Sequence, residues 1–164
     1  MTDAPAADMA PDPAADPAIV LVRPLIPGNT GTIARTCAAL ELDLCLVGPL
    51  GFDLSDKAVR RAGLDYWPHV RLHRFADWDD FLARRRPRAG ALFAFEEFGD
   101  RTAYEVDWPD DAHLLFGSET VGLPAEVLDG RATVRLPMRG RHVRSLNLAN
   151  AATAAAYLAF RGLF

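Results

Sequence analysis

The sequence contains few of the residues that cross-link a protein or anchor it to a membrane. Its 164 residues include two cysteines, Cys37 and Cys45, both in apolar segments. Two cysteines are too few for a zinc cage or a disulfide framework, and we expect both to be reduced thiols in the core. No apolar run approaches the roughly 20 residues that span a bilayer, and no signal-peptide pattern opens the chain. These absences predict a cytoplasmic protein without a membrane partner.

Familiar nucleotide and metal motifs are also missing. The chain has neither the G-x-G-x-x-G turn of dinucleotide-binding folds nor the G-x-x-x-x-G-K-[ST] loop of P-loop enzymes. No group of His, Cys and Asp has zinc spacing, so we expect no metal site. His69 and His73 are four residues apart in a strand-like segment, where they would not be helical neighbours, and we interpret both as structural or surface residues.

Charge is segregated along the chain although the net charge is only −4. Residues 57–88 carry +5 and residues 131–164 carry +6, whereas residues 96–129 between them carry −9. The basic blocks are typical of solvated helix faces. They are equally compatible with a surface that binds a polyanion, because local potential steers a nucleic acid more than total charge does.

Apolar runs that alternate with amphipathic stretches predict the fold class. Residues 1–17 are rich in Ala, Pro and Asp, which predicts a disordered tail before a single domain at 18–164. Alternating strands and helices predict an α/β fold, mostly a parallel sheet with helices on both faces. The predicted strands are 18–22, 43–48, 70–72, 89–95, 112–116 and 133–136, and the predicted helices are 30–40, 56–63, 77–86 and 146–160.

Three loops contain polar residues that strands and helices alone do not require. In PLIPGNTGTIART, residues 24–36, Asn29 or Thr30 would cap a helix whose N–H groups offer an anion site, with Arg35 more than a turn further in. The alternative is that Asn29 is only a cap and Arg35 only a surface charge.

The other two loops follow later strands. In LLFGSETVGLP, residues 114–124, Gly117 would let a ligand lie against bare backbone, and Glu119 would bind ligand, orient Arg35 or cap the short helix after Pro124. In RLPMRGRHVRSLNLAN, residues 135–150, Ser145 and Asn147 would cap the last helix or serve a site.

These motifs carry a family resemblance. PLIPGNTGTIARTC, GFDLSDKAVRRAGLDYW, LLFGSETVGLP and RLPM followed by RSLNLANAATAAAY are similar, in order and spacing, to the SPOUT-class tRNA (cytidine/uridine) 2′-O-methyltransferases that modify the wobble nucleotide. The resemblance covers about residues 18–160. It implies a C-terminal deep trefoil knot, which general topology rules disfavour. It also implies S-adenosylmethionine as cofactor, S-adenosylhomocysteine as product, and a homodimer whose subunits share each active site.

The resemblance also implies site residues. The positions that match the family's catalytic motifs are Arg35, Asn29, Glu119, Ser145 and Asn147. The positions that match its cofactor contacts, largely through backbone, are Phe95, Gly117, Leu136, Ser145 and Leu146. Because a guanidinium stays protonated, we expect Arg35 to bind phosphate and stabilise alkoxide charge rather than act as a base, with Asn29 and Glu119 fixing its orientation.

The basic blocks would then contact a tRNA anticodon stem-loop through its phosphates. The residues expected to do so are Lys57, Arg60, Arg61, Arg139, Arg141, His142 and Arg144, with Arg71, Arg74 and residues 84–88 as further members of the same surface. Three other functions stay open: methylation of another RNA or another tRNA position, catalytically silent RNA binding on the same fold, and a small-molecule methyltransferase, which would have no use for the basic blocks.

Overall fold

A single parallel sheet organises the chain. The computed structural model describes residues 16–55 and 65–163. Within them the seven strands run in the order β3-β2-β1-β6-β4-β7-β5, with every paired neighbour parallel. Their bounds are β1 Ala18–Val22, β2 Asp43–Val47, β3 Arg71–Phe75, β4 Leu92–Phe95, β5 Arg101–Thr102, β6 His113–Phe116 and β7 Ala132–Arg135.

The central strands are apolar on both faces because helices cover the sheet on both sides. β1, β2, β4 and β6 are buried at every position, as is typical of a parallel sheet inside an α/β fold. The described α-helices are α1 Pro27–Leu40, α2 Trp78–Arg85, α3 Ala125–Leu128 and α4 Leu148–Ala159. The predicted α/β class is therefore confirmed, whereas the knot stays a prediction.

Each face of the sheet has its own core. Ile19 and Leu21 of β1 pack with Ile33 of α1 and with Ala152 and Ala156 of α4. The alternate residues of β1, such as Val20, face the other core, where they pack with Trp78 and Phe81 of α2 and with Val127 of α3. Cys37 and Cys45 lie buried in these two cores as free thiols, and burial raises the pKa of both.

Several element boundaries differ from the predicted ones. β3 runs to Phe75 and β4 begins at Leu92, after a 3-10 turn at Ala89–Ala91. The two-residue β5 is too short for periodicity to reveal. The predicted helix at 56–63 lies outside the described residues, which do not include 56–64. α2 begins at Trp78, one residue later than predicted, because Asp77 is its N-cap, and the Asp77 carboxylate accepts from the Asp80 backbone N–H at 2.9 Å.

A buried ionic cluster fastens the amino ends of the strands. Asp43 at the start of β2 accepts from Arg85 Nη1 at 2.6 Å, and its carboxylate lies 2.7 Å from Arg71 Nε and 3.1 Å from His73 Nε2. Burial raises the pKa of Asp43, but His73 and Arg85 outweigh that effect and lower it. Arg85 is 2% exposed. The expectation that Arg85 belongs to an RNA-binding surface is therefore wrong, because Arg85 is buried against Asp43. Arg71 pairs with the same acid, but its side chain stays 38% exposed, and its place in an RNA-binding surface stays a prediction.

The amino-terminal limit of the domain lies slightly before the predicted residue 18. The Asp16 carbonyl accepts from Arg85 Nη2 at 2.7 Å, and the Pro17 carbonyl accepts from the Asp43 backbone N–H at 3.0 Å. Of these two residues, predicted as the end of the tail, Asp16 is bonded to α2 and Pro17 to β2. The rest of the predicted tail, residues 1–15, lies outside the described residues.

Candidate active site

A cavity of about 650 Å³ opens where three neighbouring strands end. Its walls come from the segments that follow β4, β6 and β7 and from the segment that precedes α4. This is the edge at which open parallel sheets bind their ligands. Nine of the residues predicted from the sequence line it: Asn29, Phe95, Gly117, Glu119, Leu136, Arg144, Ser145, Leu146 and Asn147.

Glu119 joins the loop after β6 to the beginning of α1. Its Oε2 accepts from the Leu25 backbone N–H at 2.9 Å, and its Oε1 accepts from the Ile26 backbone N–H and from Asn29 Nδ2, both at 3.1 Å. Ile26, the N-cap of α1, has no capping side chain of its own. The carboxylate thus caps α1 from 94 residues away in sequence and suits the positive end of the helix dipole.

This arrangement corrects two expectations. α1 begins at Pro27, so Asn29 lies inside its first turn and neither Asn29 nor Thr30 is the cap. The anion site predicted at this helix terminus is taken by Glu119, which therefore does not cap the short helix α3.

Asn147 continues the same chain of hydrogen bonds. Its Oδ1 caps α4 by accepting from the Ala149 and Asn150 backbone N–H groups at 2.9 and 3.3 Å. Its Nδ2 donates to Asn29 Oδ1 at 3.1 Å. Asn147 therefore caps the last helix, which was one of the two alternatives, and it also lines the cavity. α4 begins two residues later than predicted, which leaves Ser145 and Leu146 exposed before the helix and on the cavity wall.

Arg35 lies apart from the cavity residues. Its side chain is exposed, and its guanidinium carbon lies 5.4 Å from the centre of the Tyr66 ring. Tyr66 in turn donates its hydroxyl to the Gly31 carbonyl at 2.8 Å. The structure thus gives Arg35 an aromatic partner in place of the expected contact with Asn29 and Glu119, whose amide and carboxylate groups bond to one another.

Gly117 and Gly122 are required by close backbone packing. A Cβ atom at Gly117 would lie 1.9 Å from the carbonyl carbon of Gly122, and the backbones of Ser118 and Gly122 exchange hydrogen bonds at 3.0 and 3.3 Å. Gly122 itself has a φ of 70°, which favours glycine. The space that a side chain at residue 117 would need is therefore filled by the 118–122 turn, and Gly117 itself lines the cavity.

Glu96 and Met138 are among the cavity-wall residues that sequence reasoning missed. Glu96 follows β4 directly, and a polar residue at the carboxyl end of a parallel strand is a signal that could have identified it. Met138 lies in the exposed segment between β7 and α4, where apolar patterning gives no such signal.

The predicted RNA-binding residues divide into three sets. Arg139, Arg141, His142 and Arg144 are exposed in one loop before α4, and Arg144 reaches the cavity. Arg84 and Arg88 are paired with Asp80 and Asp111 at 3.1 and 2.6 Å, which leaves less of their charge for a polyanion. Lys57, Arg60 and Arg61 lie outside the described residues.

Metal-binding clusters and membrane-spanning helices are both absent from the part of the chain that the structure describes. In residues 16–55 and 65–163, no three His, Cys, Asp or Glu side chains cluster in a way that could hold a metal ion. None of the helices in those residues is both long and apolar enough to cross a membrane.

Known proteins share these features over nearly the whole chain. The tRNA (cytidine(34)-2'-O)-methyltransferase of Burkholderia cenocepacia (strain HI2424) is 43% identical over 151 residues, which cover 87% of this chain and 93% of that protein. A solved structure described as "Structural insights into the 2-OH methylation of C/U34 on tRNA" is 47% identical. It superposes with a TM-score of 0.85 over 93% of this chain and 98% of its own.

A more distant neighbour has a bound cofactor. The AdoMet-bound rRNA methyltransferase from Sinorhizobium meliloti is 30% identical, with a TM-score of 0.82 over 96% of this chain and 60% of its own. The SpoU rRNA Methylase family matches residues 16–157. With this match added to the sheet order and the assembled motif residues, the chain belongs to the SpoU rRNA Methylase family.

Proposed function

We propose that this protein is an S-adenosylmethionine-dependent methyltransferase that modifies the ribose 2′-oxygen of the wobble nucleotide 34, cytidine or uridine, of tRNA. The observation that carries the proposal is the convergence of motif residues from distant parts of the chain, Asn29, Glu119, Ser145 and Asn147, on one cavity. The relatives named for this reaction match nearly the whole chain, which favours nucleotide 34 over another RNA position.

The cavity fits the proposed cofactor. Its volume of about 650 Å³ lies within the range of roughly 300–1,000 Å³ that small-molecule sites occupy. Its wall combines apolar side chains, Phe95, Leu136 and Leu146, with backbone at Gly117 and a carboxylate at Glu96. An apolar wall suits an adenine ring, and the polar groups suit the ribose and the amino-acid end. When bound, S-adenosylmethionine supplies a methyl group on a sulfonium that the ribose 2′-oxygen attacks, which leaves S-adenosylhomocysteine.

Asn29, Glu119 and Asn147 position this site. Their mutual hydrogen bonds fix both asparagine amides and lock the beginnings of α1 and α4 together. Helix ends held in this way keep Ser145 and Leu146 against the cavity, where Ser145 offers a hydroxyl to the ribose. Preorganised polar groups of this kind lower the barrier because they need not reorient during the reaction.

Arg35 acts on the substrate ribose and its neighbouring phosphate in this proposal. Its guanidinium, a donor with no acceptor, would bind the phosphate and stabilise the alkoxide that develops on the 2′-oxygen. Because Arg35 lies outside the cavity wall, a second copy of the chain would bring it to the cofactor. The apolar residues Leu25, Ile26 and Tyr157, exposed beside α1 and on α4, support a homodimer formed through these helices.

The basic loop before α4 is the proposed contact for the anticodon stem-loop. Arg139, Arg141, His142 and Arg144 are exposed beside the cavity and would contact RNA phosphates. We extend this role to Lys57, Arg60 and Arg61 on the strength of the sequence alone. The proposed compartment is the cytoplasm, where the substrate tRNA would be found.

The test is transfer of labelled methyl from S-adenosylmethionine to tRNA from cells that lack the enzyme, followed by nuclease mapping of the modified ribose. We expect label at nucleotide 34 with the wild type, a loss of at least a hundredfold with Arg35→Ala, and little change with Arg88→Ala, whose side chain pairs with Asp111 away from the cavity. Label at a tRNA nucleotide other than 34, or cofactor binding without any label, would contradict the proposal.

The role of Arg35 has a separate test in the pH–rate profile of Arg35→Lys. A phosphate-binding cation predicts a lower rate with an unchanged pH optimum. Full activity at a pH optimum shifted to that of a lysine base would show that Arg35 acts as a base instead.

A further inference from the structure

Glu96 contributes a side chain to the cavity that no motif had indicated. It is the first residue after β4, and its backbone N–H donates to the Val134 carbonyl of β7 at 2.9 Å. Its side chain is half-buried, and its Oε1 accepts from the Leu123 backbone N–H at 3.1 Å. The carboxylate is therefore fixed to two neighbouring elements at the cavity wall.

Gly122 lies directly beside this carboxylate. A Cβ atom at residue 122 would lie 3.4 Å from Glu96 Oε1 and 3.5 Å from Oε2, an ordinary contact distance, so both oxygens lie close to the Gly122 backbone. The turn that carries Gly122 is rigid because Gly117 packs directly against it. Both oxygens of Glu96 are thus held side by side against fixed backbone.

The carboxylate has unused hydrogen-bonding capacity. Two carboxylate oxygens offer about four acceptor sites, and the Leu123 N–H fills one of them. Across residues 16–55 and 65–163, the ion pairs with nitrogen–oxygen distances up to 4 Å involve other acids. A half-buried carboxylate without a cation is stabilised by additional donors, and a ligand in the cavity is positioned to supply them.

We propose that Glu96 binds the ribose hydroxyls of the adenosine part of S-adenosylmethionine. This inference rests on the proposed function and adds a specificity-determining residue to it. A vicinal diol presents two O–H donors side by side, which matches two fixed carboxylate oxygens. An acidic residue beyond the carboxyl end of a parallel strand holds a nucleotide ribose in other α/β folds.

The apolar residues next to Glu96 favour the ribose over the cofactor's ammonium group. Phe95 precedes Glu96 in the chain, and Leu136 follows the adjacent strand β7, so two apolar side chains flank the carboxylate along the cavity wall. An adenine ring against these side chains would bring its attached ribose to Glu96. The ammonium shares a carbon with the cofactor's carboxylate, for which Arg144 on the same cavity supplies a positive charge.

The test compares two ligands by calorimetry. S-adenosylhomocysteine has both the ribose diol and the amino acid, whereas 5′-methylthioadenosine has the diol without the amino acid. Glu96→Gln keeps an oxygen to accept from the Leu123 N–H, so the fold is retained, and thermal unfolding verifies this. We expect Glu96→Gln to weaken both ligands by the same factor, roughly tenfold, because hydrogen bonds to a charged group are lost. Glu105→Gln, an exposed acid after β5, should bind both ligands as the wild type does.

The outcomes separate this inference from the proposed function. If Glu96→Gln weakens S-adenosylhomocysteine but not 5′-methylthioadenosine, the carboxylate binds the ammonium and the inference is wrong. Unchanged affinity for both ligands also overturns it, while wild-type methylation of tRNA would leave the proposed function standing. If the wild type binds neither ligand, the proposed function itself fails.

Discussion

Asn147 Nδ2 donates to Asn29 Oδ1 across 3.1 Å and so joins residues that are 118 positions apart in sequence. Asn29 extends this chain of hydrogen bonds, because its Nδ2 donates to Glu119 Oε1. Each amide atom of Asn29 and of Asn147 then has a partner, which fixes the orientation of both side chains. The amino ends of α1 and α4 and the loop after β6 are coupled by these three side chains.

Replacement of Glu119 by glutamine should weaken these hydrogen bonds, although the glutamine side chain has nearly the same shape as the glutamate. The glutamate accepts from three N–H groups, those of Leu25, Ile26 and the Asn29 amide. A glutamine NH₂ group would face at least one of these donors, and an unsatisfied donor costs roughly 1–3 kcal/mol. We expect urea denaturation to show a loss of that size in the free energy of unfolding, together with weaker methyl transfer.

Glu126→Gln is the matched control for Glu119→Gln. Glu126 is half-exposed and pairs with exposed Arg23 at 2.9 Å, and exposed pairs contribute little to stability. The two variants carry the same chemical change, so equal unfolding midpoints would show that the three hydrogen bonds to Glu119 do not stabilise the fold.

The sequence predicts the fold best where burial alone decides the structure. The runs AIVLV and HLLF are strands because every residue in them is buried between two helical layers. The beginning of α1 could not be predicted, because its capping group is Glu119, and local signals at Asn29 and Thr30 pointed to a later start. The final helix shows the opposite case, since Asn147 is a local cap and its sequence carried that signal.

The site residues, like the helix starts, were predicted where the signal is local and missed where it depends on distant segments. The motifs identified nine of the residues that line the cavity, but not how they pair, because pairing depends on contacts between distant segments. Arg35 illustrates this difference, since its partner in the structure is the ring of Tyr66, 31 residues on, rather than Asn29 or Glu119. Arg85 is a second example, because nothing in the basic run around it indicates that its partner is the buried carboxylate of Asp43.

Removal of the Arg85 charge should destabilise the protein strongly. In Arg85→Met, Asp43 would lose its contact at 2.6 Å, and the Asp16 carbonyl and His113 Nε2 would lose their donors. Breaking a buried ion pair by removing one partner costs roughly 3–5 kcal/mol. Arg88→Met, which breaks an exposed pair with Asp111, should barely move the unfolding midpoint. Similar midpoints for the two variants would show that the buried cluster adds no more than a surface pair.

Stability should fall as the solution becomes mildly acidic, because His113 is held neutral. Its Nδ1 lies 2.8 Å from the Asp111 carbonyl and its Nε2 accepts from Arg85 Nε at 3.1 Å, so a second proton would face a donor and a like charge. Burial, and after it the charge of Arg85, lowers the pKa of His113 from 6.5 to about 4.

The sign of this effect follows from which state binds the proton. Between about pH 6.5 and pH 4 the unfolded chain binds a proton at His113 that the folded chain does not. The contribution of His113 to stability is therefore complete above pH 6.5 and declines toward pH 4, by roughly 3 kcal/mol in all. Unfolding free energies measured across this range should vary less in His113→Gln than in the wild type or in the exposed-site variant His69→Gln. Parallel pH profiles for wild type and His113→Gln would contradict the assignment.

Gly117→Ala should distort the cavity wall, because the added methyl group has no room. The Cβ of Gly117→Ala would lie 1.9 Å from the carbonyl carbon of Gly122 and 2.2 Å from the Leu123 nitrogen, and neither backbone can yield without displacing the 118–122 turn. Glu119 and the donor to Glu96 both belong to this segment, so we expect a lower unfolding midpoint and weaker binding of S-adenosylhomocysteine. Gly28→Ala is the control, because no heavy atom lies within 4 Å of its added Cβ and the residue is helical. There alanine should be neutral or stabilising by up to about 1 kcal/mol. Wild-type cofactor affinity in Gly117→Ala would mean that the turn moves without consequence for the site.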